Sequence, residues 1–144
     1  MSILDKHSPI YQYVEQIRYA IDPEQDLILE EWDGTVSAWD LEKHWKEFLK
    51  HEAVINCRRT VVDISKSQIT VTGQDFSWLI DSLVKPVLKG RKWITAIVVT
   101  SDYQFGVGRQ YGVYAESYSR DQIFKDPGEA FEWISTRRHE AAGA

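Results

Sequence analysis

Cysteine, glycine and proline are scarce in this chain. Cys57 is the one cysteine among 144 residues, so no disulfide can form within the chain, and such a count is typical of a reducing compartment. Eight glycines and four prolines are too few for a collagen-like or low-complexity protein. The composition therefore predicts an ordinary globular domain that needs no disulfides.

An excess of basic charge and a long apolar run are also lacking. The net charge is −5, whereas a protein that binds nucleic acid needs a basic face. The most apolar stretch, residues 93–99, is about seven residues long, and a membrane helix needs roughly 20. Residues 1–16 carry charges and lack the apolar segment of a signal peptide. We therefore expect a cytoplasmic protein without a nucleic-acid partner and without integral membrane association.

Metal-binding and cofactor-binding signatures are missing as well. His44 and His51 lie seven positions apart on a predicted helix, about 10 Å along its axis, which is too far to share one metal ion. No His-x-x-x-His or Cys-x-x-Cys spacing occurs, and we expect the helix histidines to be solvated. The sequence predicts neither a metal site nor a cofactor.

The hydrophobic pattern predicts one α/β domain. Apolar alternation and short β-branched runs indicate five strands, and stripes at helical spacing indicate four helices. Their order predicts a mixed, mostly parallel sheet with an N-terminal antiparallel hairpin. The predicted strands are 16–21, 27–32, 59–64, 93–99 and 122–124, and the predicted helices are 37–49, 76–90, 108–118 and the segment that begins at Asp126. We expect an N-terminal extension over 1–15, the domain over 16–138 and a frayed tail over 139–144.

Several local patterns, taken in order, resemble the SpoIIAA-like family of the STAS/SEC14-type fold. They span roughly residues 16–135 and comprise Leu27–Trp32 with Gly34, Val61–Asp63, Ala96–Val99, Gly106–Tyr111 and Ile123–Ile134. The resemblance implies a small bacterial domain with a mixed sheet and amphipathic helices. It also implies a binding or regulatory role.

The resemblance further suggests a phosphorylation switch, because anti-sigma antagonists of the wider STAS group carry a phosphorylated serine at a helix start after a strand. The matching region here is Thr72–Ser77, in which Ser77 is the candidate. This region lacks the Asp-Ser-Ser-Gly-like run, and Asp75 already places negative charge at the predicted helix start.

No complete catalytic constellation is found. Cys57 has Arg58 and Arg59 beside it, which would lower its pKa, but no histidine is tied to it by sequence as a base. Glu31 and Asp33 alternate onto one strand face and are expected to face water. We predict that the protein is not an enzyme.

The glycine-rich segment Gly106–Gly112 follows a predicted buried strand and is expected to open a helix. It differs from the G-x-G-x-x-G dinucleotide signature because Tyr111 occupies the place of the third glycine. Two interpretations remain open. Gly106 and Gly108 permit a turn and close helix packing, or they expose backbone N–H groups that bind an anion together with Arg109.

A ligand site is expected at the carboxyl edge of the sheet, where open α/β sheets bind their ligands. The loops after residues 64 and 99 would bring Tyr103, Phe105 and Arg109 near Asp63. An aromatic cleft with one guanidinium group suits a small amphiphilic or anionic ligand. This agrees with the SEC14-type side of the resemblance.

An alternative function is protein–protein interaction or homo-oligomerisation, of the anti-sigma-antagonist type without the phosphorylation site. Trp39 and Trp78 both lie off the predicted core stripes of their helices. Large aromatic side chains outside a core are enriched at interfaces. The two tryptophans are therefore candidates for contact with a partner, either a second copy or another protein.

Overall fold

A computed structural model describes residues 2–137. One six-stranded sheet has the strand order β1-β2-β3-β4-β5-β6. The first two pairings are antiparallel and the last three are parallel. The strands are β1 (Tyr11–Val14), β2 (Ile17–Asp22), β3 (Leu27–Val36), β4 (Arg59–Ile69), β5 (Trp93–Val98) and β6 (Ser119–Phe124). The predicted mixed sheet with its N-terminal hairpin is confirmed.

The helices are α1 (Ala38–Phe48), α2 (Glu52–Asn56), α3 (Gly73–Leu79), α4 (Lys85–Leu88), α5 (Asp102–Ala115) and α6 (Pro127–Ser135). A π-helical turn, Ile80–Val84, joins α3 to α4. Helices α1, α3, α4 and α5 supply the larger core cluster on one sheet face. The smaller cluster on the other face includes Ala130 and Ile134 of α6. Among residues 2–137, no helix is long and apolar enough to cross a membrane.

The N-terminal segment is part of the sheet and not an extension outside it. Tyr11–Val14 forms the edge strand β1 against β2, and Leu4 is buried in the smaller core cluster. The prediction of five strands is therefore corrected to six. A four-residue strand at a sheet edge carries too little alternation to be distinguished from a loop. The predicted tail, 139–144, lies outside the described residues.

Strand β4 is longer than predicted, because residues 65–69 continue it where a loop was expected. These residues pair in parallel with the end of β3, from Asp33↔Lys66 to Val36↔Ile69, after an irregularity in the register. Hydrogen bonding to a long neighbour outweighs the weak strand propensity of a Ser-rich segment. The long β3–β4 ladder places α1 and α3, which follow these two strands, beside each other.

Helix α5 begins at Asp102, six residues earlier than predicted. The Ser101 side chain accepts from the Gln104 backbone N–H, and the Gln104 side chain accepts from the Ser101 N–H. This capping box is the Ser-x-x-Gln signature of a helix start, and it lies before the apolar spacing that predicts a helix from residue 108. As a result Gly106 and Gly108 lie inside the helix and not in a turn before it.

Candidate functional site

A cavity of about 70 Å³ lies between the sheet and the helices of the larger core cluster. A single water molecule needs only about 10–15 Å³, so the cavity has room for a larger molecule. The cavity is partly open to solvent. Val62 lines it and is only half-buried, although it belongs to central strand β4. Aromatic side chains contribute much of the wall, namely Trp32, Trp45, Phe48, Phe76, Trp93, Tyr111 and Tyr118.

The aromatic walls hold one another in edge-to-face contacts. The ring centroids of Phe76 and Tyr111 lie 5.5 Å apart with their planes at 69°. Trp93 makes similar contacts with Phe48 at 6.2 Å and with Tyr118 at 6.4 Å. Such arrangements are favoured by the ring quadrupoles. The cavity is therefore bounded by rings that are fixed from α1, α3, β5 and α5.

The sheet side of the cavity carries a buried carboxylate, Glu30 of β3. Its Oε2 accepts from Trp32 Nε1 at 2.8 Å, and its Oε1 lies 2.8 Å from His44 Nε2. Glu30 is 4% exposed and His44 is fully buried. The expectation that the helix histidines are solvated is therefore wrong for His44. A half-buried His51 also has a protein partner, because its Nδ1 lies 2.8 Å from the Tyr19 hydroxyl.

The Thr60 hydroxyl is the unsatisfied polar group of the cavity wall. Thr60 precedes Val61 on β4, is 6% exposed and lines the cavity. Its Oγ1 is buried, and no protein group among residues 2–137 is hydrogen-bonded to it. An unpaired buried hydroxyl costs roughly 1–3 kcal/mol. A ligand atom in the cavity would remove that cost by bonding to it.

A cluster of polar side chains, Thr95, Ser119 and Asp121, lies beside the cavity on β5 and β6. Ser119 Oγ lies 3.1 Å from Thr95 Oγ1 and donates to Asp121 Oδ1 at 2.5 Å. The hydroxyls of Tyr111 and Tyr118 are also 2.5 Å apart. Burial raises the pKa of Asp121 to about 6, although the hydrogen bonds from Ser119 and Thr95 oppose that rise. Asp121 therefore titrates well above an ordinary aspartate.

The residues predicted to form a ligand cleft do not come together. Asp63 is buried and shares a sheet face with Val61, which packs in the α6 cluster, because side chains alternate along β4. Helix α5, which carries Tyr103, Phe105 and Arg109, packs on the opposite face. The Tyr103 hydroxyl donates to the Ile69 carbonyl. The cleft expected near Asp63 is thus replaced by the internal cavity.

Arg109 is exposed in the middle of α5 and not at its N-terminus. The interpretation of Gly106 and Gly108 as an anion-binding helix start is therefore wrong. A Cβ on Gly108 would meet Ile123 Cδ1 at 3.1 Å, which supports the close-packing interpretation. Arg109, Phe105 and Gly108 line a shallow surface groove beside β6, and a binding role there stays a prediction.

The exposed tryptophans lie where the sequence indicated. Trp39 is 75% exposed on α1 and Trp78 is 56% exposed on α3. Their proposed contact with a partner stays a prediction. Ser77 is half-buried in the second turn of α3, because Thr72 is the N-cap of that helix. The placement of Ser77 at a helix start is therefore wrong, and its phosphorylation stays a prediction.

Cys57 and Glu31, two other candidates for catalysis, are both buried. Burial, aided by the nearby Asp26 carboxylate, raises the pKa of Cys57 to about 12, so the neighbouring arginines do not activate this thiol. Glu31 is buried and not solvated, and its Oε1 accepts from Arg18 Nη2 at 2.7 Å. Asp33 is exposed, so these two carboxylates do not share one environment.

A solved structure has a fold similar to that of this chain. No protein-family model matches the chain, and no curated protein matches it. A crystal structure from Shewanella loihica PV-4 is similar at a TM-score of 0.56 and 18% identity, over 88% of this chain and 99% of the other. That structure is described as an uncharacterised protein from the DUF3478 family with a SpoIIAA-like fold. This chain therefore adopts the SpoIIAA-like fold that its sequence resembles.

Proposed function

We propose that this protein is a non-enzymatic binding module that holds a small amphiphilic molecule in the internal cavity. The observation that carries the proposal is the Thr60 hydroxyl, which is buried on the cavity wall without a protein partner in the described part of the chain. Cavities that stay empty in proteins are lined by apolar groups. Here a mostly aromatic wall also presents a hydroxyl and a carboxylate.

The chemistry of the wall favours an apolar body with one hydrogen-bonding group. Small-molecule sites are typically apolar with a few polar groups that fix the orientation of the ligand. Thr60 offers a hydroxyl on the sheet side, and the Glu30 carboxylate offers acceptor capacity beyond its two present partners. An anionic ligand is disfavoured at this site by the nearby Glu30 charge. The ligand is therefore better described as amphiphilic than as anionic.

The size of the cavity limits the ligand to a few heavy atoms. An engineered protein cavity of about 150 Å³ accepts benzene, and this cavity has about half that volume. A branched four-carbon compound is a suitable probe. Isobutanol and isobutylamine have the same carbon skeleton and differ only in their polar group.

The test is the shift in melting temperature of the full chain with each probe. At about ten times its Kd, a ligand adds roughly 1.4 kcal/mol to stability, which corresponds to about 3–6 °C for a domain of this size. Val62→Phe should fill the cavity and abolish that shift. Val113→Phe is the matched control, because Val113 is 70% exposed on α5. It should keep the shift.

Two outcomes would contradict the proposal. One is that neither probe stabilises the unmodified protein. The other is that Val62→Phe and Val113→Phe respond equally, since the probes would then act on the protein surface or on the solvent. Native mass spectrometry of the purified protein complements the test, because it detects a small molecule that the cavity has retained.

A further inference from the structure

The Glu30 carboxylate at the cavity is paired with neither a lysine nor an arginine in the described part of the chain. Its close partners are the neutral indole N–H of Trp32 and the imidazole of His44, each at 2.8 Å. Among residues 2–137, no lysine or arginine lines the cavity. Arg18 and Lys66 instead pair with Glu31, the next residue of β3, whose side chain faces the opposite side of the sheet.

His44 and Trp32 use only part of the hydrogen-bonding capacity of Glu30. His44 is fully buried, and its Nε2 lies 2.8 Å from Glu30 Oε1. The imidazole occupies one acceptor position on Oε1, and the Trp32 indole occupies one on Oε2. A carboxylate has about four such positions. Glu30 therefore keeps acceptor positions that a donor group in the cavity can use.

The unused acceptor positions of a buried carboxylate favour a cationic donor, and the cavity is where such a group can bind. The surrounding rings of Trp45, Phe76 and Tyr111 present π-systems that attract cations. An ammonium group also carries several N–H donors, which suit both Glu30 and the unpaired Thr60 hydroxyl. Negative charge, aromatic walls and an unpaired oxygen therefore indicate the same class of ligand.

Resting on the proposed function, we infer that the cavity binds a small organic amine in its ammonium form. The ammonium group pairs with the Glu30 carboxylate and donates to Thr60 Oγ1, while its short apolar part contacts the aromatic walls. A neutral alcohol of the same shape binds more weakly, because it offers one O–H donor in place of several N–H donors and carries no positive charge toward Glu30. A carboxylate of the same shape is excluded by repulsion from Glu30.

The experiment follows the indole N–H signals of the full chain by NMR while isobutylammonium, isobutanol or isobutyrate is added at matched ionic strength. Trp32 and Trp93 line the cavity, so their signals report binding there. The exposed Trp39 and Trp78 are internal controls whose signals should not move. The unmodified protein should bind isobutylammonium about tenfold more tightly than isobutanol, as a desolvated charge–aromatic contact provides. Isobutyrate should not bind.

Glu30→Gln removes the charge and should bring the amine and the alcohol to similar affinities. Glu31→Gln is the matched control, because it makes the same change on the other sheet face and should preserve the preference for the amine. If Glu30→Gln does not fold, the comparison of the three probes on the unmodified protein decides alone. Equal binding of amine and alcohol, or tighter binding of isobutyrate, would overturn this inference and leave the proposed function standing. If no probe moves the Trp32 and Trp93 signals, both fail.

Discussion

At the scale of single residues, the unpaired Thr60 hydroxyl distinguishes a binding cavity from a packing defect. Thr95 is a close comparison, because it is the partner of Thr60 in the β4–β5 register and is equally buried. The Thr95 hydroxyl is paired with Ser119, whereas the Thr60 hydroxyl is paired with no protein group that the structure describes. The same substitution at the two positions should therefore have opposite effects on stability.

Thr60→Val should raise the free energy of unfolding of the ligand-free protein by about 1 kcal/mol, because it removes a buried hydroxyl that lacks a partner. Thr95→Val should lower that free energy by about 1 kcal/mol, because it breaks a hydrogen bond and leaves Ser119 with one partner fewer. Urea denaturation measures both. A Thr60→Val protein that is less stable than the unmodified one would show that this hydroxyl already has a partner inside the protein.

The raised pKa of Asp121 predicts that the stability of the protein depends on pH. Burial raises its folded-state pKa from 3.8 to about 6, so the folded protein favours the protonated acid. The contribution of Asp121 to stability is greatest below pH 3.8 and is lost as the pH rises through about 6. Asp121→Asn should therefore stabilise the protein above pH 6 and have little effect near pH 4. Melting temperatures of both proteins over this range test the prediction, and a constant difference between them would contradict it.

Glu31 should show the opposite dependence on pH. Burial alone would raise its pKa, but hydrogen bonds from Ser2 and Arg18 and the charges of Lys66 and Arg18 outweigh it and hold the pKa below 4.5. Its contribution to stability is fully present above pH 4.5 and is lost as the pH falls through the depressed pKa. Glu31→Gln should therefore lower the melting temperature at pH 7, and the loss should shrink below pH 4.5. An equal loss at pH 7 and at low pH would contradict the assignment.

At the scale of secondary-structure elements, capping decides where α5 begins and thereby what Arg109 can do. Ser101→Ala should lower the free energy of unfolding by about 1 kcal/mol, the usual cost of losing an N-cap side chain. Ser77→Ala is the matched control, because Ser77 lies within α3 and caps no helix. It should have a smaller effect. Equal effects of the two substitutions would mean that α5 does not begin at Ser101.

Local signals predict some elements well and fail for others. The predicted helix starts at Ser37 and Asp126 are both confirmed, because Ser37 forms a capping box with Asp40 and Asp126 is an N-cap followed by Pro127. Such caps depend on residues three or fewer positions apart. The pairing of β3 with the end of β4 depends on residues more than 30 positions apart. The composition of residues 65–69 therefore indicates a loop, and only their pairing with β3 shows that they form a strand.

The candidate site was harder to predict than the fold, for a related reason. Glu30 and His44 come from β3 and α1 and meet 14 positions apart in sequence. Neither belongs to a spacing motif, and the alternation of β3 alone does not show that a carboxylate lies on a core face. A signal was available, however. Glu30 stands two residues before Trp32 and two after Ile28, both of which lie on the buried face, so period-2 alternation places the carboxylate inward.

At the scale of the whole molecule, the two faces of the sheet in this SpoIIAA-like fold differ in how they are packed. The face under α6 is mainly a close-packed apolar cluster, with the Glu31 ion pairs near one end. The face under α1, α3 and α5 encloses the cavity and the Glu30–His44 pair. A sheet packed this way can stabilise the domain through one face while the other face accommodates a ligand. Binding in this cavity is the central claim about the protein.

A crystal structure of the full chain grown with isobutylammonium tests this claim most directly. We expect ordered density for one probe molecule in the cavity, with its nitrogen within hydrogen-bond distance, about 2.7–3.2 Å, of a Glu30 oxygen and of Thr60 Oγ1. The rings of Trp45, Phe76 and Tyr111 should surround it, and Glu30 should keep its contacts with Trp32 and His44. A cavity closed by movement of these rings, with Thr60 Oγ1 hydrogen-bonded to a protein atom, would contradict binding in this cavity.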